Sequence, residues 1–100
     1  GLDALEAAAA AGDLASQMRL ASMYYDGRTV PRDRGRASVW YRAAADQGHA
    51  GAQFNLGSMY YNGLGVKKDH AEAARWYRKA ADQGVADAQA WLEAAPGVRT

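Results

Sequence analysis

Apolar positions along this chain recur three and four residues apart within short segments, the spacing of a single buried helix face. Residues 2–11 are alanine-rich and favour a helix, which Gly12 ends with a left-handed residue. Residues 14–25 place Met18, Leu20, Ala21 and Tyr24 on one face, and Gly27 stops them. Asp33 is positioned to cap a helix over 34–46, whose first turn Gly35 weakens. A central helical run reaches Tyr61 and turns through Gly63 and Gly65 into a second run over 70–83. That run carries Ala73, Trp76, Tyr77, Ala80 and Ala81 as a stripe, with Arg75, Arg78 and Lys79 off it. Asp69 is its cap, and Glu72 three residues on has the spacing of a capping box. A last helix is expected from Val85 to residue 95, ended by Pro96 and Gly97. The pattern predicts an all-α chain of about six helices.

Those segments repeat. Setting residues 12–47 on 48–83 gives 18 identities in 36 positions, among them Met23-Tyr24-Tyr25 with Met59-Tyr60-Tyr61 and Trp40-Tyr41-Arg42 with Trp76-Tyr77-Arg78. A third copy opens at Gly84, where Ala86, Ala88, Gln89 and Leu92 repeat Ala50, Ala52, Gln53 and Leu56. A fixed period in this range means an array whose units bury their faces on one another. The expected organisation is one domain over 1–100: an opening helix at 2–11, repeats at 12–47 and 48–83, and a closing helix within 84–95. The opening helix sets Ala4 and Leu5 where the repeats have tryptophan and tyrosine. It therefore reads as the second helix of a degenerate repeat. Gly57 and its counterpart Ala21 keep one helix face smooth for a partner helix. Glu93 stands at the same position in the last copy, where a glutamate is tolerable only if no further helix covers it. Thr29 replaces Gly65 in the first turn, so either that backbone avoids positive φ or the turn is rebuilt around Pro31.

The central copy resembles the Sel-1-like repeat family, a relative of the tetratricopeptide repeat. The residues that carry the resemblance are Ala52, Leu56-Gly57, Tyr60, Gly63-x-Gly65-Val66, Asp69, Ala73, Trp76-Tyr77 and Ala80-Ala81, closing at Gly84. It covers nearly the whole chain. The resemblance implies an α/α solenoid, a right-handed superhelix of antiparallel helix pairs, and an adaptor role toward other proteins. With no cysteine, the chain stands apart from the disulfide-stapled branch of that family.

A net charge of +1 gives no broad pull toward nucleic acid or a membrane. No apolar run is long enough to span a bilayer, so a soluble chain of the bacterial cytoplasm or periplasm is expected. The first residues, Gly1-Leu2-Asp3, lack both the pattern of an intact signal peptide and a starting methionine, as in a trimmed or processed piece of a longer protein. His49 and His70 have no cysteine to help them and read as surface histidines, with no metal and no cofactor expected. Gly63-x-Gly65 joins helix to helix, so it is a turn and not a dinucleotide fingerprint. Trp40, Trp76 and the tyrosines recur at the repeat period and read as core, except that Tyr25 and Tyr61 adjoin the core tyrosines Tyr24 and Tyr60 and must point elsewhere. Arg28, Arg32, Arg34, Arg36, Lys67 and Lys68 cluster in the two equivalent loops as a solvated edge or a basic docking edge. No nucleophile and base are paired, and an enzyme is not expected.

The expected function is a protein–protein interaction module that binds a peptide or protein on the concave face, which the first helix of each pair lines in such superhelices. The alternative is a structural or regulatory spacer of a longer envelope or secretion protein. The packing positions are spent on Leu20, Tyr24, Leu56, Tyr60 and the tryptophans. The opposite stripe carries Arg19, Ser22 and Asp26, then Asn55, Ser58 and Asn62, with Tyr25, Tyr61 and Trp91 beside it. These nine residues are the expected partner-binding set.

Overall fold

Four of the helices begin on a side-chain cap. The carboxylates of Asp13, Asp33 and Asp69 accept from the backbone N–H three residues on, each at 3.0 Å, and His49 Nδ1 does the same for Ala52. Each cap satisfies one donor that the first helical turn leaves without a partner. The computed structural model describes residues 1–94. Among them it has six helices and no strand: α1 Leu2–Ala10, α2 Leu14–Asp26, α3 Arg34–Asp46, α4 Ala50–Asn62, α5 His70–Asp82 and α6 Ala86–Ala94. The expected stop at Pro96 and Gly97 lies outside the described residues. The capping box at Asp69 forms by half. The Asp69 N–H is taken by the Tyr60 carbonyl at 2.9 Å, and the Glu72 carboxylate turns to Arg75 at 2.7 Å.

Each helix packs chiefly on the one before and the one after it. The result is an α/α solenoid with extents of 46 × 23 × 17 Å, elongated because its contacts are local. Leu20, Leu56 and Met59 are its largest fully buried side chains, and buried alanines from Ala9 to Ala88 let the helices approach closely. Trp76 and Tyr77 are buried as expected, whereas Trp40 is half-buried. The Trp76 ring is covered by Arg42, with Arg75 and Lys79 of its own helix beside it. One period earlier those positions are Glu6, Val39 and Ala43, which supply no such cover.

Two devices brace the array within and between its repeats. Gln47 Nε2 donates to the Gly12 carbonyl at 2.9 Å and to Gln17 Oε1 at 2.9 Å, while Gln17 Nε2 donates to the Ala9 carbonyl at 3.0 Å. Gln83 and Gln53 repeat this on Gly48 and Ala45, and Gln89 on Ala81. At the ends of α1, α3 and α5 the amides of Gln17, Gln53 and Gln89 thus add a second donor to carbonyls that already accept from the N–H of Gly12, Gly48 and Gly84. The second device is a backbone contact. Gly65, at φ 76°, lies so close to the Arg34 carbonyl that a Cβ there would run into it. Thr29, at the equivalent position in the first turn, takes no positive φ, so that backbone avoids the angle which Gly65 adopts.

Candidate functional site

The glycines that end α2 and α4, Gly27 and Gly63, both sit at φ 70° and fix where Tyr25 and Tyr61 leave the helix. Tyr25 is half-buried. Its ring meets Tyr41 edge-on, with centroids 6.4 Å apart, and the Arg34 guanidinium lies 4.5 Å above its face. One repeat later the arrangement recurs with different chemistry. His70 stacks on Tyr61 at 4.6 Å, in the place of Arg34, and Trp91 lies against both Tyr61 and Tyr77 at 5.4 and 4.4 Å.

Arg19, Ser22 and Asp26 are exposed on α2, Asn55 and Ser58 are half-buried on α4, and Asn62 is exposed at its end. The structure brings four of the expected residues together. Tyr25, Asp26, Asn55 and Ser58 line a groove of about 350 Å³ between α2 and α4, with Tyr41 as its fifth wall. Arg19 lines a separate hollow of about 540 Å³ with Leu2, Leu5 and Met23. Ser22 lines neither. Tyr61, Asn62 and Trp91 belong to the next step of the array. Two polar groups of the stripe are engaged: Ser58 shares a hydrogen bond with the Tyr77 hydroxyl at 2.8 Å, and Asn62 donates to the Ser58 carbonyl at 3.0 Å. Burial pushes the Tyr77 hydroxyl above the usual phenol range, and the bond to Ser58 opposes this in part.

The loop edge is smaller than its sequence implies. Arg34 is spent on Tyr25, and Arg36 donates to the Tyr24 hydroxyl at 3.3 Å and pairs with Asp33 at 3.6 Å. Arg28, Arg32, Lys67 and Lys68 are left exposed. Sequence reasoning passed over His49 as a cap, although the period sets it on Asp13. Tyr41 was assigned to the core alone, although its ring also walls the groove. Among the described residues no cluster of histidine and carboxylates is arranged to hold a metal, and no helix is long and apolar enough to cross a membrane.

No curated protein matches the chain. Solved structures do. It is 40% identical to a Sel1 repeat protein from Oxalobacter formigenes, with a TM-score of 0.84 over 89% of this chain and 26% of that one. It is 40% identical to c5321, a protective antigen of uropathogenic Escherichia coli with the same kind of fold, with a TM-score of 0.83 over 92% and 21%. It is 27% identical to the cysteine-rich protein B of Helicobacter pylori, with a TM-score of 0.81 over 88% and 66%. The chain thus spans about a quarter of the first of these proteins and a fifth of the second. The family model of the Sel1 repeat matches residues 14–49 and again 50–85, so the chain belongs to the Sel1 repeat family.

Proposed function

We propose that this chain is a protein–protein interaction module whose binding face is formed by α2 and α4, the concave side of the array. Sel1 repeats generally mediate contacts between proteins and are typically non-catalytic scaffolds. The groove beside Asn55 supports placing the contact here. Its lining mixes aromatic rings with a few polar groups, the make-up of recognition sites that fix orientation and exclude water. On this scaffold of identical core residues, Arg19 and Asn55 occupy one position with different chemistry, and such positions carry partner specificity. Arg19 presents a forked donor for a carboxylate, and Asn55 both donates and accepts. A face of two repeats is short, so affinity is micromolar or weaker unless further repeats extend it.

The test is capture of the native partner by Arg19→Glu combined with Asn55→Ala, with helical circular dichroism unchanged. Capture is lost if α2 and α4 form the interface. Capture that survives this pair and disappears on neutralising Arg28, Arg32, Lys67 and Lys68 moves the interface to the loop edge. A spacer role within a longer protein is the second reading, favoured by the small share of its relatives that the chain spans. In that case capture by the isolated chain fails and returns only with the flanking repeats.

A further inference from the structure

Shifting the groove by one repeat reveals what it is built to hold. Its walls Tyr25, Asp26 and Tyr41 become Tyr61, Asn62 and Tyr77, and its end wall Asn55 becomes Trp91. In that second copy the indole of Trp91 lies over the Tyr77 ring, tilted by 33° at 4.4 Å, with Tyr61 edge-on at 86°. The space is thus filled by the chain's own aromatic side chain. In the first copy Asn55 is too short to do this; Tyr25 and Tyr41 meet each other edge-on at 6.4 Å, and about 350 Å³ stays open beside them. The planar cover on the outer tyrosine is also kept, as Arg34 on Tyr25 and His70 on Tyr61.

Resting on the binding face proposed above, we infer that the groove walled by Tyr25, Tyr41 and Asn55 takes a tryptophan side chain of a partner peptide, laid against the tyrosines as Trp91 is in the second copy. Offset and edge-on aromatic contacts favour such a ring beyond the area it buries. Asn55 and Ser58 offer acceptors to an indole N–H. Asp26, the one charged residue lining the groove, selects a basic residue next to the tryptophan. Trp91 is the chain's internal copy of the ligand.

The probe is a capped Lys-Trp-Lys tripeptide, with Lys-Ala-Lys as control, titrated into the intact chain and followed by amide chemical shifts. A single anchored side chain gives a dissociation constant on the order of a millimolar. Shifts are expected around Tyr25, Tyr41 and Asn55 with the tryptophan peptide and not with the control. Asn55→Trp fills the groove from within and weakens binding by about tenfold or more. Trp91→Asn empties the second copy, and shifts then appear around Tyr61 and Tyr77 as well. Asp26→Asn weakens binding two- to threefold and flattens its salt dependence. If Trp91→Asn fails to fold, Asn55→Trp decides alone. Equal shifts from both peptides, or undiminished binding by a folded Asn55→Trp, overturn the inference. Should the tripeptide fail while partner capture still depends on Arg19 and Asn55, the α2–α4 face stands and only the tryptophan anchor falls. Should the tripeptide bind while capture depends on the loop lysines and arginines, the groove binds tryptophan but is not the partner interface.

Discussion

Replacing Gly57 by leucine tests the packing inside the second repeat. Gly57 is buried on α4 against Tyr77 of α5, and a Cβ built there would stand 3.0 Å from Cδ1, 3.1 Å from Cε1 and 3.2 Å from Cγ of that ring. The contact is with the ring itself, so the ring must retreat. Three neighbours oppose retreat: Trp91 at 4.4 Å, Phe54 at 5.3 Å, and the hydroxyl bond to Ser58. Alanine at this position gains about 1 kcal/mol in helix propensity over glycine, and the displaced ring offsets much of that gain. Leucine adds three carbons beyond the Cβ with nowhere to go, and overpacking of this kind costs about 1–3 kcal/mol. Glu93, one period on, is exposed, so Glu93→Leu changes stability by no more than about 0.5 kcal/mol. Urea titrations followed by circular dichroism measure both. A double variant sharpens the test: Trp91→Asn frees one side of Tyr77, so part of the Gly57→Leu penalty disappears in its presence. Equal effects at Gly57 and Glu93 would refute the reasoning, as would strict additivity of Gly57→Leu with Trp91→Asn.

Two further predictions concern the caps. His49→Asp restores the residue type that caps the equivalent helix in the first repeat and puts a negative charge at the start of α4, so stability should rise by about 0.5 kcal/mol; a loss of 1 kcal/mol or more in a urea titration would contradict the cap. Hydrogen bonds from the Ser16 side chain and backbone hold the Asp13 carboxyl below its usual 3.8. A depressed folded value means the contribution is fully present above the usual value and is lost as pH falls through the folded one. The gap in thermal midpoint between wild type and Asp13→Ala should therefore close below about pH 4.

The period of 36 made the fold legible. It placed the first five helices to within a residue or two, and Gly27 and Gly63 end two of them through a backbone angle that their sequence position already signals. The glutamines were visible as identities, but their role was not, since it depends on carbonyls 8 and 35 residues away that only the stacked helices bring within reach. His49 was judged by residue type and not by register, which hid its cap. Thr29 left two turns open, and the backbone resolves them by keeping φ negative there. The stripe was found by elimination on single helices. Its division into a groove at Asn55, a hollow at Arg19 and a tryptophan laid on tyrosines needed the spacing between helices, which no helix carries alone.

The glutamine bonds bear on how such an array can lengthen. Every glutamine donor reaches backwards: Gln47 by 35 residues to Gly12 within its own repeat, and Gln17 and Gln53 by 8 residues to Ala9 and Ala45 at the end of the unit before. A third copy of the 36-residue unit inserted between Gln47 and Gly48 would find acceptors waiting behind it and present acceptors to the unit ahead. If the inserted unit copies residues 48–83, the Gly65 contact is reproduced at each new joint, whereas a copy of 12–47 would press the Thr29 side chain on the preceding carbonyl. Growth by duplication of residues 48–83 is therefore neutral for the buried polar groups of this fold. Insertion of another length at that seam would carry Gln53 away from the Ala45 carbonyl, the glutamine bond that spans it.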